Sequence, residues 1–199
     1  MRDINQKLLT CAIIAGGKSK RFEMSKPHAE FQGRTLIDHA ICLANSITEN
    51  IIIIASKEQK LFDRKIKQIP DIIPDCGPMG GIYTALENAQ TFWVATLPCD
   101  MPLLSTEVYR ILLSHKKKGL PVVAEADGKI QSLISIWPKS LSHVLFQSIQ
   151  KRELKIHQFL TEHQAELVPM EEELENYKPE MFSNINFRED LQNLSRSKP

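Results

Sequence analysis

The sequence predicts an α/β protein of three layers built on a mostly parallel, mixed sheet. Three observations predict it. Near-continuous apolar runs at Leu9 to Ala15, Ile51 to Ala55 and Phe92 to Leu97 read as strands buried on both faces. The segments between them carry apolar residues at helical spacing. Late in the chain an Asp-Gly pair separates two further apolar runs, the signature of an antiparallel hairpin.

Taken in order, the first run, Leu9 to Ala15, passes directly into Gly16-Gly17-Lys18-Ser19-Lys20-Arg21. With Lys7 before it, this run imitates a secretion signal. It is at the short limit for one and leads into a glycine loop, so strand followed by loop is expected. Leu36, Ala40, Leu43, Ala44 and Ile47 form a helical stripe, and the run Ile51 to Ala55 is rich in β-branched residues. Ile82, Ala85, Leu86 and Ala89 mark a helix over Gly80 to Ala89, and the third strand stops at Pro98. Ser105 caps a helix running through Val108, Ile111 and Leu112 to Lys116-Lys117-Lys118, with Gly119 behind it. Acid first, base last and glycine after suits the helix dipole and C-cap, so the lysines read as a solvated helix end rather than a phosphate patch. Leu120 to Glu125 and Ile130 to Ile136 flank Ala126-Asp127-Gly128-Lys129, the hairpin. Helices are expected around Leu141 to Ile149 and Glu153 to His163, and Glu171 to Glu175 as an exposed loop or helix start. A short strand over Met181 to Ile185 and a terminal helix over Arg188 to Leu194 complete the chain. No repeat, linker or low-complexity block interrupts it, so residues 1–199 are expected to form a single domain.

Composition narrows the function classes. Of 199 residues 42% are hydrophobic, and 25 Lys+Arg against 24 Asp+Glu leave a formal net charge of +1. That excludes the basic footprint of a nucleic-acid binder and the charge imbalance of a disordered chain. No apolar run approaches the roughly 18–20 residues of a membrane-spanning helix. Cys11, Cys42, Cys76 and Cys99 lie far apart with no CxxC pair, which reads as free thiols in the reducing cytoplasm. Neither HExxH nor paired-cysteine spacing occurs, so no zinc site is expected.

Ligands of open α/β sheets bind beyond the carboxyl ends of the strands, where the chemistry-bearing segments fall. Adjacent glycines let backbone N–H groups approach phosphates, and Lys18, Lys20 and Arg21 would neutralise their charge. The loop fits neither GxxxxGK[ST] nor GxGxxG, so P-loop and dinucleotide-binding readings lose their support. Taken alone, a plain strand-to-helix turn explains it equally well.

The wider pattern is more specific. Ile13-Ile14-Ala15-Gly16-Gly17-x-x-x-Arg21, Ser25-Lys26-Pro27 and Phe31-Gln32-Gly33-Arg34-Thr35-Leu36-Ile37-Asp38-His39 resemble a nucleotidyltransferase opening. Asp75-Cys76-Gly77-Pro78-Met79-Gly80-Gly81-Ile82, Pro98-Cys99-Asp100-Met101-Pro102-Leu103 and Phe182-Ser183-Asn184-Ile185-Asn186 follow in order. Together these blocks resemble the molybdenum cofactor guanylyltransferase family, the molybdopterin-guanine dinucleotide biosynthesis protein A type. The resemblance implies a Rossmann-like nucleotidyltransferase fold, with residues 1–120 as the nucleotide-binding part and 121–199 as the second-substrate part. It implies Mg²⁺-dependent transfer of GMP from GTP to the terminal phosphate of molybdopterin, with release of pyrophosphate. It further implies GTP contacts from Ile14, Ala15, Gly16, Gly17, Arg21, Lys26, Asp75, Gly77, Pro78 and Asp100, with Lys26 and Asp100 catalytic and Asp100 holding Mg²⁺. Asn184 and Asn186 match asparagines on the molybdopterin side. Transient contact with proteins that load molybdopterin or receive the finished cofactor follows from the same resemblance; nucleic-acid and membrane partners do not.

The chemistry suits these roles. A carboxylate is a hard oxygen donor of the kind Mg²⁺ prefers, and a phosphate nucleophile is already anionic and needs no general base. Bland readings stand beside the functional ones: a capping or loop role for Asp100, a solvated loop lysine at Lys26, a salt bridge at Arg21, a turn at Asp75, a helix entry at Gly77-Pro78 and turn asparagines at Asn184 and Asn186. The chain departs from the family pattern at Phe22, Glu23 and Ser25, where methionine, glycine and aspartate are usual. Ile54 falls where a nucleotide-contacting asparagine often lies. A related cytidylyl- or sugar-nucleotidyltransferase and a non-catalytic GTP-binding adaptor remain the alternatives.

Overall fold

The structure, a computed structural model, describes residues 8–16, 26–56, 66–185 and Asp190. The first apolar run becomes β1 (Leu9–Ile14), with all six side chains buried. A 3-10 turn at Lys26–His28 precedes a small hairpin, β2 (Glu30–Phe31) and β3 (Arg34–Thr35), whose tip Gln32-Gly33 has φ +50° and +77°. Both tip residues lie in the left-handed region, as a two-residue hairpin turn of primed type requires. Helix α1 (Leu36–Ile47) follows at once; its N-cap Thr35 side chain accepts the Asp38 N–H at 3.2 Å and its hydroxyl donates to the Asp38 carboxylate. Next come β4 (Asn50–Ile54), β5 (Lys67–Ile69), α2 (Gly77–Asn88), β6 (Trp93–Pro98) and α3 (Thr106–Ser114). The chain continues through β7 (Val122–Ala126), β8 (Lys129–Pro138), α4 (Ser142–Gln150), α5 (Ile156–Glu162), β9 (Glu166–Pro169) and the single turn α6 (Met170–Glu173). A 3-10 turn at Pro179–Phe182 is the last of the described elements in this run.

Seven strands form one sheet in the order β5-β4-β1-β6-β8-β7-β9. Every neighbouring pair is parallel except the two that involve β8, so β8 alone runs against the rest. The expected mostly parallel, mixed sheet is therefore present. Side chains alternate across it with a period of two. Leu9, Cys11 and Ile13 pack with α1 and α3 on one face, and Ala12 and Ile14 pack with α2, α4 and α5 on the other. Polar groups inside the sheet are paired. Ser135 Oγ meets Thr96 Oγ1 at 2.7 Å, accepts the Trp137 Nε1–H at 2.7 Å and donates to the Ser132 carbonyl at 2.9 Å, which removes the cost of burying them. The register of β7 on β8 shifts between Val123 and Ala124, and β6 pairs with β8 only as far as Thr96.

Several expectations need correction. Helix α2 starts at Gly77, three residues before the expected start at Gly80, because Pro78 is well suited to a first turn where N–H groups lack partners anyway. Helix α3 stops at Ser114, so the lysine run lies beyond it in the turn that Gly119 (φ +85°) closes. Lys116 sits 5.4 Å from the Trp93 ring centroid and Lys117 pairs with Glu166; both lysines are tied to the fold rather than capping a helix. Helix α5 begins at Ile156, after Arg152 at φ +62° turns the chain. Met181 to Ile185 is not a strand: Pro179 removes a donor and the 3-10 turn runs to Phe182, leaving Ser183–Ile185 irregular. The short strands β5 and β9 and the β2–β3 hairpin carry too few apolar residues to register as runs. Apart from Asp190, the expected terminal helix lies outside the described residues.

The entry of α2 fixes one measurable consequence. A methyl added at Gly80 would lie 3.0 Å from the Ile73 carbonyl oxygen and 3.1 Å from Cys76 Cβ. Gly80→Ala is expected to lose about 1–2 kcal/mol net, the crowding outweighing roughly 1 kcal/mol of helix propensity. Thermal unfolding checks it: a lower Tm is expected, and an unchanged or higher Tm contradicts the close packing of α2 on the loop before it.

Candidate active site

The carboxyl ends of four strands finish at one level. Ile14 is in register with Ile54 and with Pro98, and Ile54 with Ile69. The ladder then continues one residue further: Ala15 N–H donates to the Ile54 carbonyl at 2.9 Å, Ala55 N–H to Ile69 at 3.0 Å and Cys99 N–H to Ile14 at 3.2 Å. The loops after β1, β5 and β6 therefore leave the sheet side by side, and α2 starts at the same edge.

Asp100 follows β6 by two residues. Its Oδ2 accepts a bond from Lys26 Nζ at 2.6 Å, with the two side chains 24% and 18% exposed. This is a charge-assisted contact that joins residues 74 apart in sequence. Lys26 is set by the 3-10 turn it opens, where the buried Pro27 follows and the Ala29 N–H returns to the Lys26 carbonyl at 3.1 Å. Cys99 lies beside this pair but is buried. Burial, reinforced by the Asp100 charge and opposed by Lys26, pushes its thiol up to about 12. It stays a neutral thiol and packs, as a small buried hydrophobe does.

At the other side of the edge Gly16 and Gly81 face one carboxylate. A methyl on Gly16 would come within 3.7 Å of Asp71 Oδ2, and one on Gly81 within 3.3 Å of Ile14 Cγ2 and 3.9 Å of Asp71 Oδ1. Asp71 thus stands where the loop after β1 meets α2. Its Oδ1 is buried and takes no hydrogen bond among the described residues. Burial raises its carboxyl above the ordinary value. Sequence reading passed over Asp71 because β5, Lys67-Gln68-Ile69, is short and half polar. The available signal was an acid two residues beyond Ile69 at a strand's carboxyl end.

Asp75 occupies a different place. It is exposed, in the left-handed region at φ +60°, in a tight turn with Gly77 at φ +56°. Gly77 and Pro78 are the first residues of α2 and exposed. Ile14 and Ala15 are buried and present backbone at the edge. Ile54 is wholly buried in the core on the α2 face, so its side chain is turned away from the edge. Asn184 is exposed between buried Phe182 and buried Ile185, and the Ile185 N–H donates to the Asp100 carbonyl at 2.9 Å. That bond brings Asn184 to the edge although the expected strand is absent. Gly17, Arg21 and Asn186, together with Lys18, Lys20, Phe22, Glu23 and Ser25, lie outside the described residues.

The donor set suits Mg²⁺ rather than a softer or caged metal. No group of three or more His, Cys, Asp and Glu converges among the described residues. Mg²⁺ commonly takes one or two carboxylates plus the phosphates of its substrate, and Asp100 offers hard oxygens of that kind.

A sheet of this order with its polar residues gathered on one edge defines a nucleotidyltransferase of the Rossmann-like type, and comparison with known proteins agrees. The profile of the MobA-like NTP transferase domain matches residues 11–167, and the chain belongs to that family. It is 36% identical over 189 residues to a protein of Flavobacterium johnsoniae named "Probable molybdenum cofactor guanylyltransferase", covering 94% of this chain and 96% of the relative. A protein of the same name from Carboxydothermus hydrogenoformans is 31% identical over 187 residues, with 94% of each covered. Among solved structures, molybdopterin-guanine dinucleotide biosynthesis protein A from Archaeoglobus fulgidus superposes with a TM-score of 0.78 at 22% identity, covering 94% and 97% of the two chains, a likeness of fold.

The raised Asp71 carboxyl has a consequence for stability. A carboxyl that holds its proton more tightly when folded costs stability once ionised; the cost is absent below the ordinary carboxylate range near about 3.9 and complete above the raised value. Asp71→Asn is therefore expected to raise Tm at pH 7 and to lose that advantage as the pH falls toward 3.5. Thermal melts across this range check it, and a variant less stable than wild type at pH 7 contradicts it.

Proposed function

We propose that this chain transfers GMP from GTP to the terminal phosphate of molybdopterin, releasing pyrophosphate. The Lys26–Asp100 pair, set at the level strand ends beside Gly16, is the observation that carries this reading. Membership of the MobA-like family and the names of its relatives support it.

In this reading the backbone of Ile14, Ala15 and Gly16 lines the nucleotide. Lys26 neutralises phosphate charge as it spreads toward the departing pyrophosphate, and Asp100 is the carboxylate that would hold Mg²⁺. Bound there, the metal supplies electrophilic stabilisation of phosphate oxygens. Asp71 accepts N–H or O–H donors of the nucleoside, whereas the resemblance implied a GTP contact from Asp75; the position of Asp71 against Gly16 and Gly81 favours it. Asp75 instead sets the turn before α2, and Gly77-Pro78 bring the helix start toward the base. Gly17 and Arg21 are phosphate contacts in this reading. Asn184 and Asn186 contact the second substrate, whose phosphate attacks the α-phosphorus of GTP without help from a base. The chain's contribution is positioning and preorganised charge. The reading includes the cytoplasm as the site of action, with transient contact to proteins that deliver molybdopterin or take up the product.

The decisive assay incubates the purified chain with Mg²⁺, molybdopterin and either GTP or CTP, and measures pyrophosphate. Release with GTP supports the reading, release with CTP alone overturns it, and GTP binding without turnover identifies an adaptor. Within an active preparation, Asp100→Asn is expected to lower kcat by about a hundredfold or more with an unchanged circular dichroism spectrum. Asp71→Asn is expected to raise the KM for GTP roughly tenfold, the loss of one hydrogen bond to a charged group, whereas Asp75→Asn leaves it within about twofold of wild type.

A further inference from the structure

Between α6 and the end of the described chain runs an arm, residues 177–185, that no strand pairing secures. Its far end is fixed by the Ile185 N–H on the Asp100 carbonyl and by the Ile185 side chain, which is fully buried with Ala29, Phe31 and Leu36. Its near end is fixed by Tyr177. The Tyr177 hydroxyl donates to Asp127 Oδ1 at 2.8 Å, with Glu171 Oε1 at 3.5 Å. The same Glu171 carboxylate accepts the Asp127 N–H. Asp127 and Gly128, at φ +52° and +65°, form the tip of the β7–β8 hairpin, and β7 runs parallel to β6. The tip therefore projects from the same edge of the sheet as Asp100. Between the two anchors the Tyr177 ring stacks on Phe182, centroids 5.8 Å apart and planes at 26°, and Phe182 is buried in the core that also holds Leu97 and Met101. Asn184 is the exposed residue of Phe182–Ile185.

We propose that Tyr177 is a positioning residue: its hydroxyl clamps the arm to the hairpin tip and so holds Asn184 beside Asp100 for the second substrate. The proposal rests on the reading of Asn184 as a second-substrate contact. A phenol is suited to the task because it combines a flat apolar face for Phe182 with one directional donor for a carboxylate. The carboxylates Asp127 and Glu171 are the acceptors facing that donor, and Asp127 is preset by the turn. Burial, together with those two acids, raises the Tyr177 hydroxyl well above the ordinary phenol value, so it remains a donor throughout the physiological range.

Tyr177→Phe keeps the ring stack and removes only the donor. In the full-length chain with GTP and Mg²⁺ it is expected to raise the KM for molybdopterin about three- to tenfold, with the KM for GTP within about twofold of wild type. Asp127→Ala is expected to reproduce the effect. Asp127→Asn, whose amide oxygen still accepts, is expected to restore most of it, and Tyr177→Phe combined with Asp127→Ala to be no worse than either alone. Hydrogen exchange supplies a readout independent of activity: the Ile185 amide is expected to exchange faster in Tyr177→Phe. Unchanged exchange and an unchanged molybdopterin KM overturn the proposal, as does an equal rise in both KM values, which marks a general structural role. Asn184→Ala separates the layers. If it leaves the molybdopterin KM unchanged, the underlying reading fails; if it raises that KM while Tyr177→Phe does not, the clamp alone fails.

Discussion

The site depends on backbone hydrogen bonds that outlast the strands. Ile14 gives its carbonyl to Cys99, while Ala15 gives its N–H to Ile54 and Ala55 to Ile69. Each of these bonds lies just past a strand's end, where a loop would otherwise diverge. Because they form, the segments after β1, β4, β5 and β6 emerge in parallel from an edge with no room to shift: Ile13, Ile53 and Leu97 immediately behind it are essentially inaccessible. Close packing makes such a core stiff. Gly16, Asp71 and Asp100 inherit that stiffness, which a loop scaffold could not supply.

Charge at this edge does little for stability. Lys26 and Asp100 each retain only about a fifth of their exposure, and in so enclosed a pair the cost of desolvation offsets much of the attraction. What the pair accomplishes is placement. It holds a cation and a carboxylate side by side at the strand ends, the arrangement on which the proposed phosphate and metal roles rest. Asp71 behaves oppositely: half enclosed and short of donors, it is a carboxyl that the fold tolerates rather than prefers. A near-neutral chain with a few opposed charges on one edge matches a small polyphosphate, and a broad basic surface would match a polymer instead.

What the sequence made legible was whatever repeats or has an obligatory residue. The stripe Leu36, Ala40, Ala44 and Ile47 gives the bounds of α1, and Asp127-Gly128 gives a hairpin whose two left-handed residues few other pairs would accept. Lys26 and Asp100 were each named by motif, but that their side chains meet is visible only in the fold. Illegible were features carried by short or polar segments. β5 has one buried residue in three, so the acid beyond it, Asp71, gave no signal, whereas Asp75 stood out beside Gly77-Pro78. The apparent strand at Met181 to Ile185 failed because Pro179 and a single tertiary bond at Ile185 decided its conformation, neither of which periodicity can express.

The arm's attachment also bears on how the two halves of the edge communicate. β6 parts from β8 after Thr96, so Leu97 to Asp100 have no antiparallel partner on that side. The Asp100 carbonyl instead takes its hydrogen bond from Ile185, a residue of the arm. The carboxylate that faces Lys26 and the backbone that steadies the arm thus belong to one residue. In the proposed reading the nucleotide side and the second-substrate side therefore meet at one residue, Asp100, the first through its carboxylate and the second through its carbonyl.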